Sequence, residues 1–178
     1  MWLNKLAAAL GIAVGWTTAF TAGAAAATRA PVKIAVFEFE LENTSPTGKV
    51  WAETSDDSET MKMLTAHARK ALEASGRYTI VETKGVDAAE VKDRSLRNCH
   101  GCDADIAKSL GADQSIIGVI SRAGQTEYYV SLRITDAVKH EVVYRHMSFY
   151  IGGENGWASG VRDAMADALS AAAGTSKP

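Results

Sequence analysis

The sequence predicts a single α/β domain of the α+β kind, with helices packed on a mixed sheet of about five strands in the order β-α-β-α-α-β-β-β-α. Two patterns and a length point there. A strand-like run over residues 32–41 precedes a helical pattern over 55–75 and a β-branched run over 77–83. A strand, a helix and a strand in that order imply a right-handed crossover with parallel pairing. Three more strand-like runs, 115–121, 127–135 and 141–150, are separated only by short turns at Gly124-Gln125 and Val138-Lys139, the pattern of an antiparallel meander. Setting aside the first 27 residues leaves about 150, enough for one hydrophobic core.

Those first residues have the layout of a secretory leader. Lys5 gives a short positive start, residues 6–20 are apolar, and Gly23-Ala-Ala-Ala-Ala27 offers small-residue cleavage frames. The apolar stretch is short beside the roughly 20 residues of a spanning helix, and no cysteine stands near the cleavage region to accept a lipid. The expected organisation is a signal peptide at 1–27, a globular domain at 28–173 and a disordered tail at 174–178, with the mature protein in the bacterial periplasm and not inserted in the membrane. Removing the leader takes away Lys5 and no acid, leaving 18 basic against 21 acidic side chains. That balance provides no basic stripe for nucleic acid and no polybasic segment for anionic lipid.

In the first strand, Val32, Ile34 and Val36 are expected on one face, with Ala35, Phe37, Phe39 and Leu41 on the other. Apolar side chains on both faces make it a central strand. Glu38 and Glu40 read as its solvated end. Residues 43–54 form a polar loop anchored by Trp51. Ser55 or Asp56 caps the next helix, Asp57 and Glu59 suit its positive end, and Gly76 supplies a left-handed stop. Met61, Leu64, Ala68 and Leu72 recur at helical spacing and face the sheet. Residues 87–96 form a weaker helix, and 103–110 a short one ended by Gly111, burying Ile106, Ala107 and Leu110. Gly152-Gly-Glu-Asn-Gly156 breaks the last strand. The closing helix over 157–172 turns Val161, Met165, Ala168 and Leu169 inward.

Chemistry concentrates at one motif, Cys99-His100-Gly101-Cys102. Covalent haem attachment needs His directly after the second cysteine, and that position holds Asp103. A zinc site needs about four ligands, and His67, His100, His140 and His146 are scattered without a recommending spacing. A redox dithiol places its nucleophile at a helix N-terminus, but Asp103 and Asp105 there oppose a thiolate. The reading taken is a local disulfide between Cys99 and Cys102 in an oxidising compartment, with redox activity and metal carriage as alternatives. Elsewhere, the glycine-rich 152–157 segment lacks the Lys and Ser/Thr of a phosphate loop and reads as a turn with Trp157 as core anchor. Met61 and Met63, two apart on a helix, point to different sides. No catalytic constellation or cofactor site is expected.

Several segments carry a resemblance: Ile34-Ala-Val-Phe-Glu-Phe-Glu-Leu41, Ala74-Ser-Gly-Arg-Tyr78, Cys99-His-Gly-Cys-Asp-Ala-Asp-Ile-Ala107, Leu110-Gly-Ala-Asp113 and Gly153 to Trp157. In this order they resemble an uncharacterised family of small exported bacterial proteins, a domain of unknown function, over nearly the whole mature chain. The Gly153–Trp157 turn departs from the family's usual Gly-Asn pattern. The resemblance implies an accessory role beside periplasmic quinoprotein alcohol dehydrogenases and their cytochromes. The element order is also similar to the N-terminal domain of the Tol-Pal translocation protein and to the curli secretion lipoprotein, which implies a non-catalytic domain working through protein contacts. The functional expectation is a non-enzymatic accessory protein with a periplasmic protein partner.

Overall fold

The computed structural model describes residues 30–44, 54–83 and 95–174. The leader, the Trp51 loop, most of the weak helix over 87–96 and the tail beyond Gly174 lie outside them. Three helices, a 3-10 turn and six strands appear in the order β1 (Val32–Val36), β2 (Glu40–Asn43), α1 (Ser55–Ala74), β3 (Tyr78–Val81), a 3-10 turn (Leu96–Asn98), α2 (Cys102–Ser109), β4 (Gln114–Arg122), β5 (Glu127–Asp136), β6 (Val142–Ile151) and α3 (Gly153–Ala172). They form one mixed sheet in the order β3-β1-β4-β5-β6. β3 and β4 flank β1 in parallel, as the crossover requires, and β4, β5 and β6 run antiparallel as a meander.

The sixth strand arises because the first one is broken. Val36 lies opposite Ile116, but Glu40 lies opposite Val119, so three residues of the first line span two of β4. One extra residue is a β-bulge, and it reverses which side chains face which way. Ala35 and Phe37 therefore join one core cluster, whereas Phe39 and Leu41 pack in the opposite one with Ile34 and Val36. The expected shared face of Phe37, Phe39 and Leu41 is thus corrected by the bulge, where Glu38 is the exposed residue.

A bulge leaves backbone groups without ladder partners, and buried ones must find others. Helix α1 supplies them. The Phe39 N–H donates to the Thr65 hydroxyl (2.9 Å), and the Arg69 guanidinium donates to the Val36 carbonyl (2.8 Å) and to Thr83 Oγ1 (2.9 Å). Positions 65 and 69 are one helical turn apart and share a face. The flipped Phe39 ring then lies directly over Gly118, where an added Cβ would sit 2.5 Å from the ring.

Helices cover both faces of the sheet. α1 and α3 bury Met61, Leu64, Ala68, Leu72, Trp157, Val161, Met165 and Ala168 against Ile116, Ile120, Tyr128 and Val130. The 3-10 turn and α2 bury Leu96 and Ala107 against Ile117 and Val119, the alternate side chains of β4. In α2 it is Asp103, Ala104 and Ala107 that are buried, while Ile106 and Leu110 are only half-buried, which corrects the expected inner face.

The cap of α1 is Thr54, one residue earlier than expected. Its hydroxyl accepts from the Asp57 N–H, and the Asp57 carboxylate accepts from the Thr54 N–H (2.9 Å). Helix α3 starts at Gly153, so the glycine segment belongs to the helix and only Gly152, at φ 143°, makes the corner. Gly156 and Gly160 let α3 approach the sheet closely: a Cβ at Gly156 would lie 2.7 Å from Tyr128 Oη, and one at Gly160 2.8 Å from Val130 Cγ2.

The tight seat of Phe39 gives a direct test. Gly118→Ala should lower unfolding stability by about 1–3 kcal/mol, because overpacking forces the ring or the strand to move. Urea denaturation measures it, and an unchanged midpoint would remove the close contact from the account.

Candidate functional site

The structure joins Cys99 and Cys102 in a disulfide, with Cα atoms 5.5 Å apart. The pair ties the 3-10 turn to the first residue of α2, and both sulfurs border the core behind Ala35 and Phe37. Its loop is held in an unusual backbone shape. Among the described residues, Ser95, His100 and His140 are the non-glycine residues with positive φ, at 33°, 51° and 59°, and all three surround this motif. His140 Nδ1 lies 3.7 Å from where a Gly101 Cβ would stand, and Gly101 has φ 113°.

The charges flanking the disulfide are engaged internally. Asp103, fully buried, accepts from the Ser115 hydroxyl (2.6 Å) and pairs with Arg133 (3.1 Å). Arg97 pairs with Glu40 (2.6 Å) and reaches Glu42 (3.4 Å), which also accepts from the Ser121 hydroxyl (3.0 Å). Glu40 is therefore not a solvated strand end: the bulge turns it toward Arg97, while Glu38 alone stays in solvent.

On the opposite face, Asp57 and Arg122 form a buried ion pair (2.5 Å), and the Arg122 guanidinium stands 5.0 Å from the centroid of the Trp157 ring. The clasp connects the start of α1, the end of β4 and the start of α3. Burial alone raises the Asp57 carboxyl, but the Thr54 N–H, the Arg122 guanidinium and the Thr54 hydroxyl outweigh it and hold the pKa below the ordinary 3.8.

The histidines do not assemble a centre. His140 is 3.4 Å from Asp105, and His146 is 3.5 Å from Asp167 on α3. Among the described residues no three His, Cys, Asp or Glu side chains converge to hold a metal. Met61 is buried and Met63 exposed, so the two methionines do point apart.

What the sequence patterns did not single out is a surface. The 3-10 turn and α2 cover one face of the sheet only as far as β4, reaching β5 through Arg133. Beyond them Tyr129, Met147, Phe149 and Ile151 stand exposed on the same face of β5 and β6, Met147 at 69% and Ile151 at 74%. The Tyr129 and Phe149 rings contact at 5.2 Å between centroids. This stripe runs into a shallow cleft of about 150 Å³ whose walls include Arg97, Arg133, Arg145, Val119 and Met147. Arg145 lies directly across the strands from Arg133, a like-charge pairing. Arg133 has Asp103 as its counter-ion, whereas Arg145 has none among the described residues. The alternation in 143–151 is visible in the sequence, but nothing in it says which face a helix leaves bare.

A mixed sheet with α1 and α3 on one side and α2 on the other defines an α+β domain. The chain belongs to the DUF3280 family, described as "Protein of unknown function (DUF2380)", which it matches over residues 32–169. No curated protein matches. Among solved structures it is similar to lipoprotein GNA1162 from Neisseria meningitidis, at 15% identity and a TM-score of 0.48, covering 83% of this chain and 100% of that one. It is also similar to the LpoB C-terminal domain from Salmonella enterica, at 13% identity and 0.46, covering 71% and 87%. TolB from Acinetobacter baumannii is similar at 17% identity and 0.44, covering 79% of this chain and 29% of that one. Among the described residues no helix is long and apolar enough to cross a membrane.

The buried clasp makes a pH prediction. A carboxyl whose pKa falls on folding contributes stability that is fully present above its unfolded value, near 3.8, and is lost as pH drops through the lower folded value. Urea unfolding followed from neutral pH to below pH ~4 should show this acid-dependent loss in the native chain and a smaller one in Asp57→Asn. Equal slopes would mean that Thr54 and Arg122 do not hold the carboxylate charged.

Proposed function

We propose that this is an exported, non-enzymatic accessory protein of the periplasm that works by docking another protein on the apolar face of β5 and β6. The observation that carries the reading is the exposed stripe of Tyr129, Met147, Phe149 and Ile151 on one sheet face. Contiguous apolar surface on a soluble domain is costly to leave in water and marks contact sites, and adjoining aromatics and Arg are the residue types enriched at such sites. Arg145 at the end of the stripe suits a partner with an acidic group beside apolar ones. The leader-like first 27 residues and the Cys99–Cys102 disulfide support an oxidising compartment. Within it, a periplasmic quinoprotein alcohol dehydrogenase system or an envelope assembly is the setting that the family resemblance favours.

A photo-crosslinking residue placed at Tyr129 in cells should give an adduct with a different protein, and the same residue at exposed Lys70 on α1 should not. The adduct should disappear when Phe149→Lys is added. Absence of any heterologous adduct from Tyr129 would sink this reading.

One observation favours a second reading, a thiol-disulfide component. The positive-φ residues Ser95, His100 and His140 gather around the disulfide, and backbone strain collects at functional sites. A redox titration separates the two. A structural bridge should have a potential below about −300 mV, whereas a working dithiol is far easier to reduce. Under the docking reading, Cys99→Ser/Cys102→Ser keeps the fold and the Tyr129 adduct, and loses about 2 kcal/mol of stability. Loss of function with the fold intact would favour the redox reading instead.

A further inference from the structure

The two edges of the sheet are built differently. β3, at one edge, is only four residues long. β6, at the other, is ten residues long, and among the described residues nothing pairs with its outer side. Proteins guard open edges with short strands, lysines, prolines or bulges. β6 has one irregularity near its start, opposite Ile134 and Thr135. From Tyr144 to Ile151 it is regular and contains no Lys, Pro, Gly, Asp or Glu. A regular eight-residue edge with exposed Met147, Phe149 and Ile151 on one face is a template for a further strand.

The charge pattern selects the occupant. Arg145 is the one Lys or Arg of this edge, and its cross-strand neighbour Arg133 repels it while being held by Asp103. An antiparallel second copy of the same edge, related by a two-fold axis at Met147, sets Arg145 of one copy opposite Phe149 of the other. Each guanidinium then meets the Phe149 ring of the other copy, a cation–π arrangement, and no like charges face each other. On the other face, Tyr144 meets Tyr150 and His146 meets Ser148, again without a charge conflict. A two-fold axis through Arg145 would oppose the two arginines and is disfavoured.

We propose that two copies of this chain pair through the Tyr144–Ile151 edge, antiparallel and centred on Met147, to make one continuous sheet. The dimer joins the two apolar faces side by side without covering Tyr129, so it is a feature separate from the docking of another protein. Isologous two-fold pairing of this kind closes after one contact, leaving the short β3 edges outermost.

Sedimentation equilibrium of the mature chain should show dimer mass, and Phe149→Lys should weaken the dimer by about tenfold or more by placing Lys against Arg145 twice. Register is read by oxidative cross-linking. Met147→Cys, lying on the axis, should give a covalent dimer, because directly opposed Cα atoms are about 4.5–5.5 Å apart, within the span of a disulfide. Phe149→Cys should not. A monomer at the highest soluble concentration overturns the proposal, as does a dimer that cross-links through Phe149→Cys and not Met147→Cys. Either result leaves the Tyr129 adduct, and with it the docking reading, to stand or fall separately.

Discussion

The rest of the structure depends on one extra residue in the first strand. Without it, Phe37, Phe39 and Leu41 would all face α2, and Glu40 would share a face with Ile34. The insertion at Glu38 instead sends Phe39 and Leu41 to the α1 side and aims Glu40 and Glu42 at Arg97. Such a break is stable only if the freed N–H and C=O groups are paired, since each buried group left unmet costs about 1–3 kcal/mol. Thr65 and Arg69 meet that need from a single helix face. The same side chains therefore fix where α1 sits on the sheet.

Around that break, the buried charges act as fasteners between layers. Asp57 and Arg122 link both helices of one face to the end of β4, and Asp103 with Ser115 and Arg133 links α2 to β4 and β5. Removing one member of such a buried pair typically costs about 3–5 kcal/mol, because the other is left uncompensated. These groups already have partners inside the fold, and the disulfide sits among them at the start of α2. The apolar surface left exposed on that side is the part of the sheet that α2 does not reach.

Much of this was legible in the sequence, and the failures have physical causes. The parallel crossover, the meander and the inner face of α1 follow from periodicity, because Met61, Leu64, Ala68 and Leu72 repeat at helical spacing and are all buried. The bulge leaves no local signal, because an apolar run through 34–37 followed by alternation through 37–41 looks the same whether or not the partner strand skips a residue. The same pattern hides the turn of Glu40 toward Arg97. Gly153–Gly156 looked like a turn, since glycine is a poor helix former, yet Gly156 and Gly160 are tolerated because the close seat on Tyr128 and Val130 leaves no room for a Cβ. The exposed stripe on β5 and β6 depends on how far α2 extends over the sheet, which is a tertiary fact with no local signal.

Internal ion pairs fasten the sheet to its helices, and its last two strands leave apolar side chains exposed on one side. That arrangement is set from the first strand outward, so the break at Glu38 is where the account is most exposed. The most direct measurement is the unfolding free energy of Thr65→Val, which keeps the shape of the side chain and removes the acceptor for the Phe39 N–H. A loss of about 1–3 kcal/mol is predicted, whereas stability equal to that of the native chain would contradict a strand break held in place by α1.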